Sequence, residues 1–205
     1  AGKVPVDMRT LDADSLTLSA HKLGGPQGVG ALVLKEGVAA VRILHGAGQE
    51  RGLRAGTENV PGITGFGVAA DCAARDLSEA MSHVVWRDAA EAKVKAAGAT
   101  IIGGDVERLP NTLFMAVEGW DSPQQLITLD LVGVMVSAGS ACSSGKVKPS
   151  KAISAMGLDH LATGGVRVSG GWGTTEADWD RFAEAWVTAW NKHKTRLSER
   201  AKEVA

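Results

Sequence analysis

Apolar and polar positions in the first quarter of the chain predict two strands joined by a turn. The segment SLTLS at 15–19 predicts a strand that leads directly to Lys22. Residues 29–34 (VGALVL) are almost all apolar and predict a second strand buried on both faces. Glycines and a proline between them predict the turn. The polar, Gly-rich residues 45–57 are too many for a simple connector and predict a long loop.

A helical pattern begins near Asn59, with a proline in its first turn, and continues to a stop signal at Gly98. Arg87 and Lys95 each lie four residues from Glu91, which predicts ion pairs on the solvent side of this helix. A helix of this length is unusual in a globular protein. We therefore expect a bend, or a helix that connects two domains.

Shorter elements follow, as in a small α+β domain. The pattern predicts strands at 100–102, 112–117, 134–137 and 166–169, and helices at 122–131, at 150–156 and from 175 onward. The last helix opens with a capping-box pattern over 175–178. Its aromatic residues at 179, 182, 186 and 190 share one face, which favours core packing over a cofactor site. The charged C-terminal residues 192–205 are expected to fray.

Composition and charge narrow the classes of function. The 22 Lys and Arg residues nearly balance the 23 Asp and Glu residues, which argues against a nucleic-acid partner held by bulk electrostatics. No apolar run reaches the roughly 18 residues that a membrane span needs. The two cysteines form no disulfide framework, so we expect a reducing compartment, the cytoplasm. No cluster has zinc-ligand spacing, and no metal site is expected.

Lys22 is the first candidate for chemistry. It follows a strand and precedes glycines, which would place its amine at the carboxyl edge of a sheet, where open α/β sheets bind ligands. A lysine amine suits a Schiff base with an aldehyde cofactor. Ser19 and His21 flank it and can donate hydrogen bonds to a phosphate. From these residues alone, an ordinary surface lysine and a structural histidine remain the alternatives.

Three further residues have polar side chains in suggestive positions. Cys142 lies among small and hydroxylated residues with lysines nearby, a setting that favours a nucleophilic thiolate, whereas Cys72 fits an inert packed position. Arg167 lies in a short apolar strand, where either a bound carboxylate or a structural ion pair could satisfy it. Thr57 offers a hydroxyl for a phosphate, although composition alone favours a plain surface turn.

Four segments together resemble the cysteine desulfurases, which belong to the class-V aminotransferases. Each motif is weak alone, but they occur in family order over nearly the whole chain. They are the lysine segment SAHK at 19–22 with GPQGVGAL at 25–32, the loop QERGLRAGTEN at 49–59, the cysteine loop SACSSG at 140–145, and VRVS at 166–169 with TTE at 174–176.

The resemblance implies a fold and a division into domains. The fold would be α/β, comprising the last part of the large domain of a pyridoxal 5'-phosphate (PLP) fold type I enzyme and a small α+β C-terminal domain. Residues 1–60 would supply the C-terminal strands and loop of the large domain, residues 61–97 the long connecting helix, and residues 98–205 the small domain with the cysteine loop.

The resemblance also implies a cofactor site. Lys22 would bind PLP covalently and then move the proton of the substrate Cα as general acid and base. Ser19 and His21 would hold the phosphate of the cofactor. Thr57 would reach the phosphate of the partner subunit, because the family builds its site across a homodimer.

The substrate implied by the resemblance is L-cysteine. Arg167 would hold its carboxylate, and Cys142 would attack its sulfur and carry the resulting persulfide. The products would be alanine and a sulfur passed to an acceptor protein, such as an iron–sulfur scaffold.

The chain departs from the family pattern in two ways. Trp172 stands where the family usually has an arginine, which concerns local packing or an ion pair rather than the chemistry. The family enzymes are also roughly twice as long, and the histidine and aspartate that contact the PLP ring would lie upstream of Ala1. We therefore expect the 205 residues alone to be a fragment with little PLP binding and no turnover, and to leave apolar surface exposed.

Two rival functions remain. A related class-V enzyme, such as a selenocysteine lyase or a kynureninase-like hydrolase, would share the fold but would not need a loop centred on a cysteine. A non-catalytic sulfur carrier or dimer-forming fragment would keep Cys142 without the cofactor. The yellow colour of a bound cofactor distinguishes the enzyme from the carrier.

Overall fold

A computed structural model describes residues 1–138 and 149–204, which form two units, Ala1–Ala80 and Met81–Ala205. Cys142 lies outside the described residues. The predicted domain boundaries at 60/61 and 97/98 concern the domains of a longer enzyme and stay predictions. In the described part of the chain, no helix is both long and apolar enough to cross a membrane.

The first unit contains a two-stranded antiparallel sheet and a helix. Strand β1 (Ser15–Ser19) pairs with β2 (Gly30–Leu34), and Ser19 lies opposite Gly30 at one end of the ladder. A 3-10 turn, Ala20–Leu23, follows β1 directly. Helix α1 (Val60–Arg75) is capped at its N terminus by Asn59, whose side chain accepts a hydrogen bond from the N–H of Gly62, so the predicted helix start is confirmed.

The prediction that the second strand is buried on both faces is wrong. Four of the five residues of β2 are exposed, and Leu32 is 58% exposed to solvent. The pairing is consistent with this: in the described residues, β2 is hydrogen-bonded only to β1, in a sheet of two strands. The apolar side chains of β2 are therefore not buried by other parts of the described chain.

The long helix is interrupted, in agreement with the expected bend. Helix α2 (Leu77–Ala96) follows α1 after Asp76, whose φ of −92° and ψ of 9° leave the helical range. The carboxylate of Asp76 pairs with the guanidinium of Arg75 at 2.6 Å, and this contact lowers the pKa of Asp76 below its usual value. Beyond α2, Gly98 has a φ of 108°, which confirms the predicted stop.

The predicted ion pairs along α2 are wrong. Arg87 is only 6% exposed; it pairs with Asp88 and donates to the carbonyl oxygen of Leu109 at 2.7 Å. Glu91 instead pairs with Arg108 at 2.7 Å. Arg87 and Glu91 thus contact residues 108 and 109, just before the strand that begins at Thr112, so distant partners replace the neighbours at i±4.

The second unit is built on an antiparallel sheet. The strand order is β3-β4-β6-β5, with β3 at Thr100–Ile101, β4 at Thr112–Ala116, β5 at Ser137–Ala138 and β6 at Val166–Ser169. The remaining helices are α3 (Ser122–Asp130), α4 (Lys151–Ala155) and α5 (Glu176–Val204). Strand β5 begins three residues later than the sequence predicts, and α5 continues to Val204, whereas the fraying of its end stays a prediction.

The aromatic stripe of α5 forms the main core of this unit, as its spacing predicts. The four residues of the stripe are Trp179, Phe182, Trp186 and Trp190. All are buried, and they pack with Trp120, Leu113 and Val166. The predicted capping box is also present in modified form. The N–H and hydroxyl of Thr175 both donate to Asp178 at 2.8 Å, and these hydrogen bonds lower the pKa of that carboxyl.

Candidate functional site

The turn that carries Lys22 is anchored by the residue two positions before it. Ala20 is fully buried; its N–H donates to the carbonyl of Val29 at 3.1 Å, and its carbonyl accepts from the N–H of Gly25 at 2.9 Å. His21 and Lys22 follow as exposed residues of the same turn. The backbone is thus fixed while both side chains stay accessible.

Close backbone approach explains the glycines around this turn. A Cβ at Gly25 would lie 3.1 Å from the Cβ of Ala20 and 3.2 Å from the Cβ of Ala69 in α1. A Cβ at Gly30 would lie 2.5 Å from the carbonyl oxygen of Leu18. Larger residues at either position would displace the turn from α1 or from β1.

The donors of this turn fit a pyridoxal phosphate. Ser19 and His21 offer a hydroxyl and an imidazole, which suit phosphate oxygens, and Lys22 offers a primary amine for an aldehyde. In the described residues, none of these three side chains makes a hydrogen bond or an ion pair. Their hydrogen-bonding capacity is therefore available to a ligand.

Thr57 lies on a separate loop of the same unit. Glu50 and Arg51 adopt left-handed conformations with φ of 53° and 56°, which are costly for residues other than glycine. Beside Thr57, the N–H of Gly56 donates to the side chain of Gln49 at 3.3 Å, and the carbonyl of Gly56 accepts from Arg54 at 2.7 Å. The loop is thus held locally, and Thr57 itself is exposed.

Arg167 lies in the middle of β6, in the second unit. Its cross-strand neighbours are Phe114 on β4 and Ser137 on β5, while Val166 and Val168 point to the opposite, buried face. Among residues 1–138 and 149–204, no side chain or carbonyl forms an ion pair or hydrogen bond with the guanidinium of Arg167. The structural ion pair considered from sequence is therefore not observed there, which leaves the guanidinium available for a carboxylate.

The sheet relates Arg167 to the segment that carries Cys142. The last described residue of β5 is Ala138, four residues before Cys142 in the sequence, and Ser137 lies directly opposite Arg167. In sequence, Cys142 therefore follows closely on a strand whose Ser137 pairs with Arg167. The other cysteine, Cys72, is a free, half-buried residue of α1.

Two side-chain amides at the ends of β6 were not anticipated from the sequence. Gln125 donates to the carbonyl of Gly164, before the strand, and Asn111 donates to the carbonyl of Gly170, after it. Both amides are buried. Because their partners are 39 and 59 residues away, no local pattern could have revealed them. The described residues contain no group of three acidic, His or Cys side chains that could hold a metal.

Comparison with known proteins identifies the family of this chain. The profile of the class-V aminotransferases matches residues 1–182. A cysteine desulfurase of Gluconacetobacter diazotrophicus is 42% identical over 187 residues, which cover 89% of this chain and 47% of that protein. The resemblance to cysteine desulfurases is thereby confirmed.

Solved structures support the fold. A NifS-like protein superimposes with a TM-score of 0.79 at 34% identity, covering 93% of this chain and 50% of that one. The NifS-like protein of Rickettsia africae gives a TM-score of 0.79 at 30% identity, with 93% and 51% covered. The predicted α/β fold class, part of a PLP fold type I protein, is confirmed.

The chain spans about half the length of the curated relatives it matches. The family profile nevertheless covers most of the chain, including the lysine turn, the loop of Thr57 and the strand of Arg167. The chain belongs to the class-V aminotransferase family.

Proposed function

We propose that the full-length protein is a PLP-dependent cysteine desulfurase that converts L-cysteine to L-alanine and stores the sulfur as a persulfide on Cys142. One observation carries the proposal: Ser137, five residues before Cys142 in the sequence, lies opposite Arg167, whose guanidinium has no partner in the described residues. A carboxylate-binding group and a nucleophilic thiol are the two features that the substrate L-cysteine requires.

The lysine turn would hold the cofactor. Class-V aminotransferases are PLP-dependent. Lys22 would bind the aldehyde, Ser19 and His21 would donate to the phosphate, and Thr57 would donate to the phosphate bound by a partner subunit. When bound, PLP supplies an electron sink that allows bonds at the substrate Cα and Cβ to break.

The substrate would be oriented by its carboxylate. A guanidinium presents parallel N–H donors that match the two oxygens of a carboxylate, so Arg167 would fix the substrate at one end. Lys22 would take the proton from the substrate Cα and return a proton to carbon after the sulfur has left, acting as general base and then general acid.

Cys142 would accept the sulfur. Its thiolate attacks the sulfur of the substrate and forms an S–S bond, while the Cβ–S bond breaks and its electron pair stays on carbon. That carbon takes up a proton and becomes the methyl group of alanine. The persulfide then passes its outer sulfur to an acceptor protein, for which an iron–sulfur scaffold is our candidate, and we place this reaction in the cytoplasm.

A homodimer would complete the site. Val41 and Ile43 are 83% and 85% exposed, and such apolar surface is typical of an interface. The adjacent Leu44 forms a bridge with Arg54, so this apolar segment lies beside the loop of Thr57. Because Thr57 would serve the cofactor of the other subunit, we propose that this surface contacts a second copy.

Sedimentation of the full-length protein tests the dimer. Joint Val41→Asp and Ile43→Asp substitutions are expected to shift it from dimer to monomer. Val106→Asp is the matched control, because Val106 is also exposed, at 65%, but belongs to the second unit. A full-length protein that is monomeric before substitution, or a dimer that persists in the double variant, would contradict this interface.

Product analysis of the protein expressed from the intact gene tests the activity. With L-cysteine, we expect alanine and sulfide in equal amounts when a thiol reductant is present. Lys22→Ala should abolish both products and the yellow colour of the cofactor. Cys142→Ser should abolish both products but keep the colour. Arg167→Ala should weaken the binding of L-cysteine. Lys35→Ala is the control, because Lys35 is an exposed lysine directly after β2 whose ammonium pairs with Asp14 at 4.0 Å. A protein that accepts sulfur on Cys142 from a donor, without colour or alanine formation, would instead be a sulfur carrier.

A further inference from the structure

The strand that carries Arg167 is held at its C-terminal end by a side chain rather than by the ladder alone. The last ladder pair of β4 and β6 is Thr112 with Ser169. One step beyond it, the N–H of Gly170 donates to the carbonyl of Asn111 at 2.9 Å, and the side-chain amide of Asn111 donates to the carbonyl of Gly170. Asn111 therefore extends the pairing by one residue.

This contact is buried and closely packed. Asn111 is 5% exposed, and its Oδ1 accepts a weak hydrogen bond from Thr112 at 3.4 Å. A Cβ at Gly170 would lie 3.0 Å from the Nδ1 of His83, so the ring packs directly against the backbone that Asn111 holds. Replacing Asn111 would leave the carbonyl of Gly170 without this donor in a buried setting.

The residues beyond the contact offer no comparable support. Cβ atoms at Gly171 and Gly173 would meet no atom within 4 Å, and Trp172 between them is 85% exposed. Within the described residues, the loop beyond the Asn111 contact is closed locally by two hydrogen bonds between Gly171 and Thr174, at 2.9 and 3.0 Å. Arg167 lies only three residues before Gly170 and has no described partner that would fix its side chain.

We propose that Asn111 is a positioning residue that holds β6 so that the guanidinium of Arg167 meets the substrate carboxylate. The inference rests on the proposed function, because it assigns a supporting residue to the same site. Gln125 fixes the other end of the strand through Gly164, at 2.9 Å. Arg167 thus lies midway between two buried amides, and loosening either end would spread its guanidinium over several orientations.

A double-mutant cycle on the full-length enzyme tests the proposal, with the KM for L-cysteine and the dissociation constant of L-alanine as readouts. Asn111→Ala should raise both about tenfold and change kcat less than about twofold, because an orienting contact to the carboxylate acts on binding. In an Arg167→Ala background the same substitution should change them less than about twofold. Asn111→Asp keeps the shape and loses the donor, and it replaces the alanine variant if that protein does not accumulate.

A matched control separates positioning from a general loss of stability. Ile102→Val removes one methylene from a buried site next to β3, the strand at the opposite edge of the sheet from β5, and should leave both readouts unchanged. A tenfold effect of Asn111→Ala that persists without Arg167, or an equal effect of Ile102→Val, would overturn the inference and leave the desulfurase proposal intact. If Arg167→Ala itself does not weaken substrate binding, the role of Arg167 in the proposed function fails as well.

Discussion

Gln125 offers the sharpest quantitative test of how the second unit is held together. It is 1% exposed and uses its whole amide: Nε2 donates to the carbonyls of Trp120 and Gly164 at 2.8 and 2.9 Å, and Oε1 accepts from the indole N–H of Trp186 at 2.9 Å. Replacement by methionine keeps nearly the same volume and removes all three hydrogen bonds. The substitution therefore isolates the polar contribution from packing.

The expected loss follows from the groups left unpaired. One buried N–H and two buried carbonyls lose a partner, and each such group costs about 1–3 kcal/mol. Because the neighbouring backbone can relax in part, we expect the free energy of unfolding to fall by about 3–5 kcal/mol, near the lower end of the combined range. This is a large share of the roughly 5–15 kcal/mol that stabilises a typical domain.

Urea denaturation of the full-length protein, followed by tryptophan fluorescence, measures the change. Gln124→Met is the matched control: it makes the same substitution one residue earlier on α3, at an exposed position, and should change stability by less than about 0.5 kcal/mol. Adding Trp186→Phe to Gln125→Met should cost less than the same change in the parent protein, because the indole N–H has already lost its acceptor. A loss below about 1 kcal/mol for Gln125→Met would refute the reasoning.

Three further outcomes are expected. Hydrogen bonds from Thr175 depress the pKa of Asp178. This shift stabilises the folded protein at pH values above the ordinary carboxyl pKa of 3.8, and the stabilisation is lost as the pH falls below that value towards the depressed pKa. Asp178→Asn should therefore reduce the loss of urea midpoint at acid pH. Gly67→Ala, within α1 and with no atom within 4 Å of the new Cβ, should raise stability by about 0.5–1 kcal/mol in the same assay. Gly30→Ala should push β2 from the carbonyl of Leu18, disturb the adjoining lysine turn, and lower the absorbance of bound PLP per protein; unchanged absorbance would contradict this.

Elements with a local signal could be predicted from the sequence. The alternation of Val166 and Val168 with polar residues predicts strand β6, and the observed strand has the predicted ends. The aromatic spacing from Trp179 to Trp190 predicts the face of α5 that is buried. The capping pattern at Thr175 likewise depends on residues only three apart. The lysine turn could be predicted from the sequence because the strand, the lysine and the glycines follow one another along the chain.

Features that depend on distant partners could not be predicted. The burial of Arg87 depends on a carbonyl 22 residues away, and the Glu91 pairing on an arginine 17 residues away. The exposure of β2 depends on which segments pack against the strand, and its apolar sequence does not indicate whether such segments are present. The amide of Asn111 reaches across 59 residues, so a polar residue before a strand gave no sign of its role.

The most direct test of the proposed function is the intact mass of the full-length protein after brief exposure to L-cysteine without reductant. The account predicts a gain of one sulfur atom, located on Cys142 by peptide mapping, that is absent in Cys142→Ser and in Lys22→Ala. A gain of sulfur that persists in Lys22→Ala, or that maps to Cys72 instead, would contradict the claim that this family member forms its persulfide by desulfurising L-cysteine.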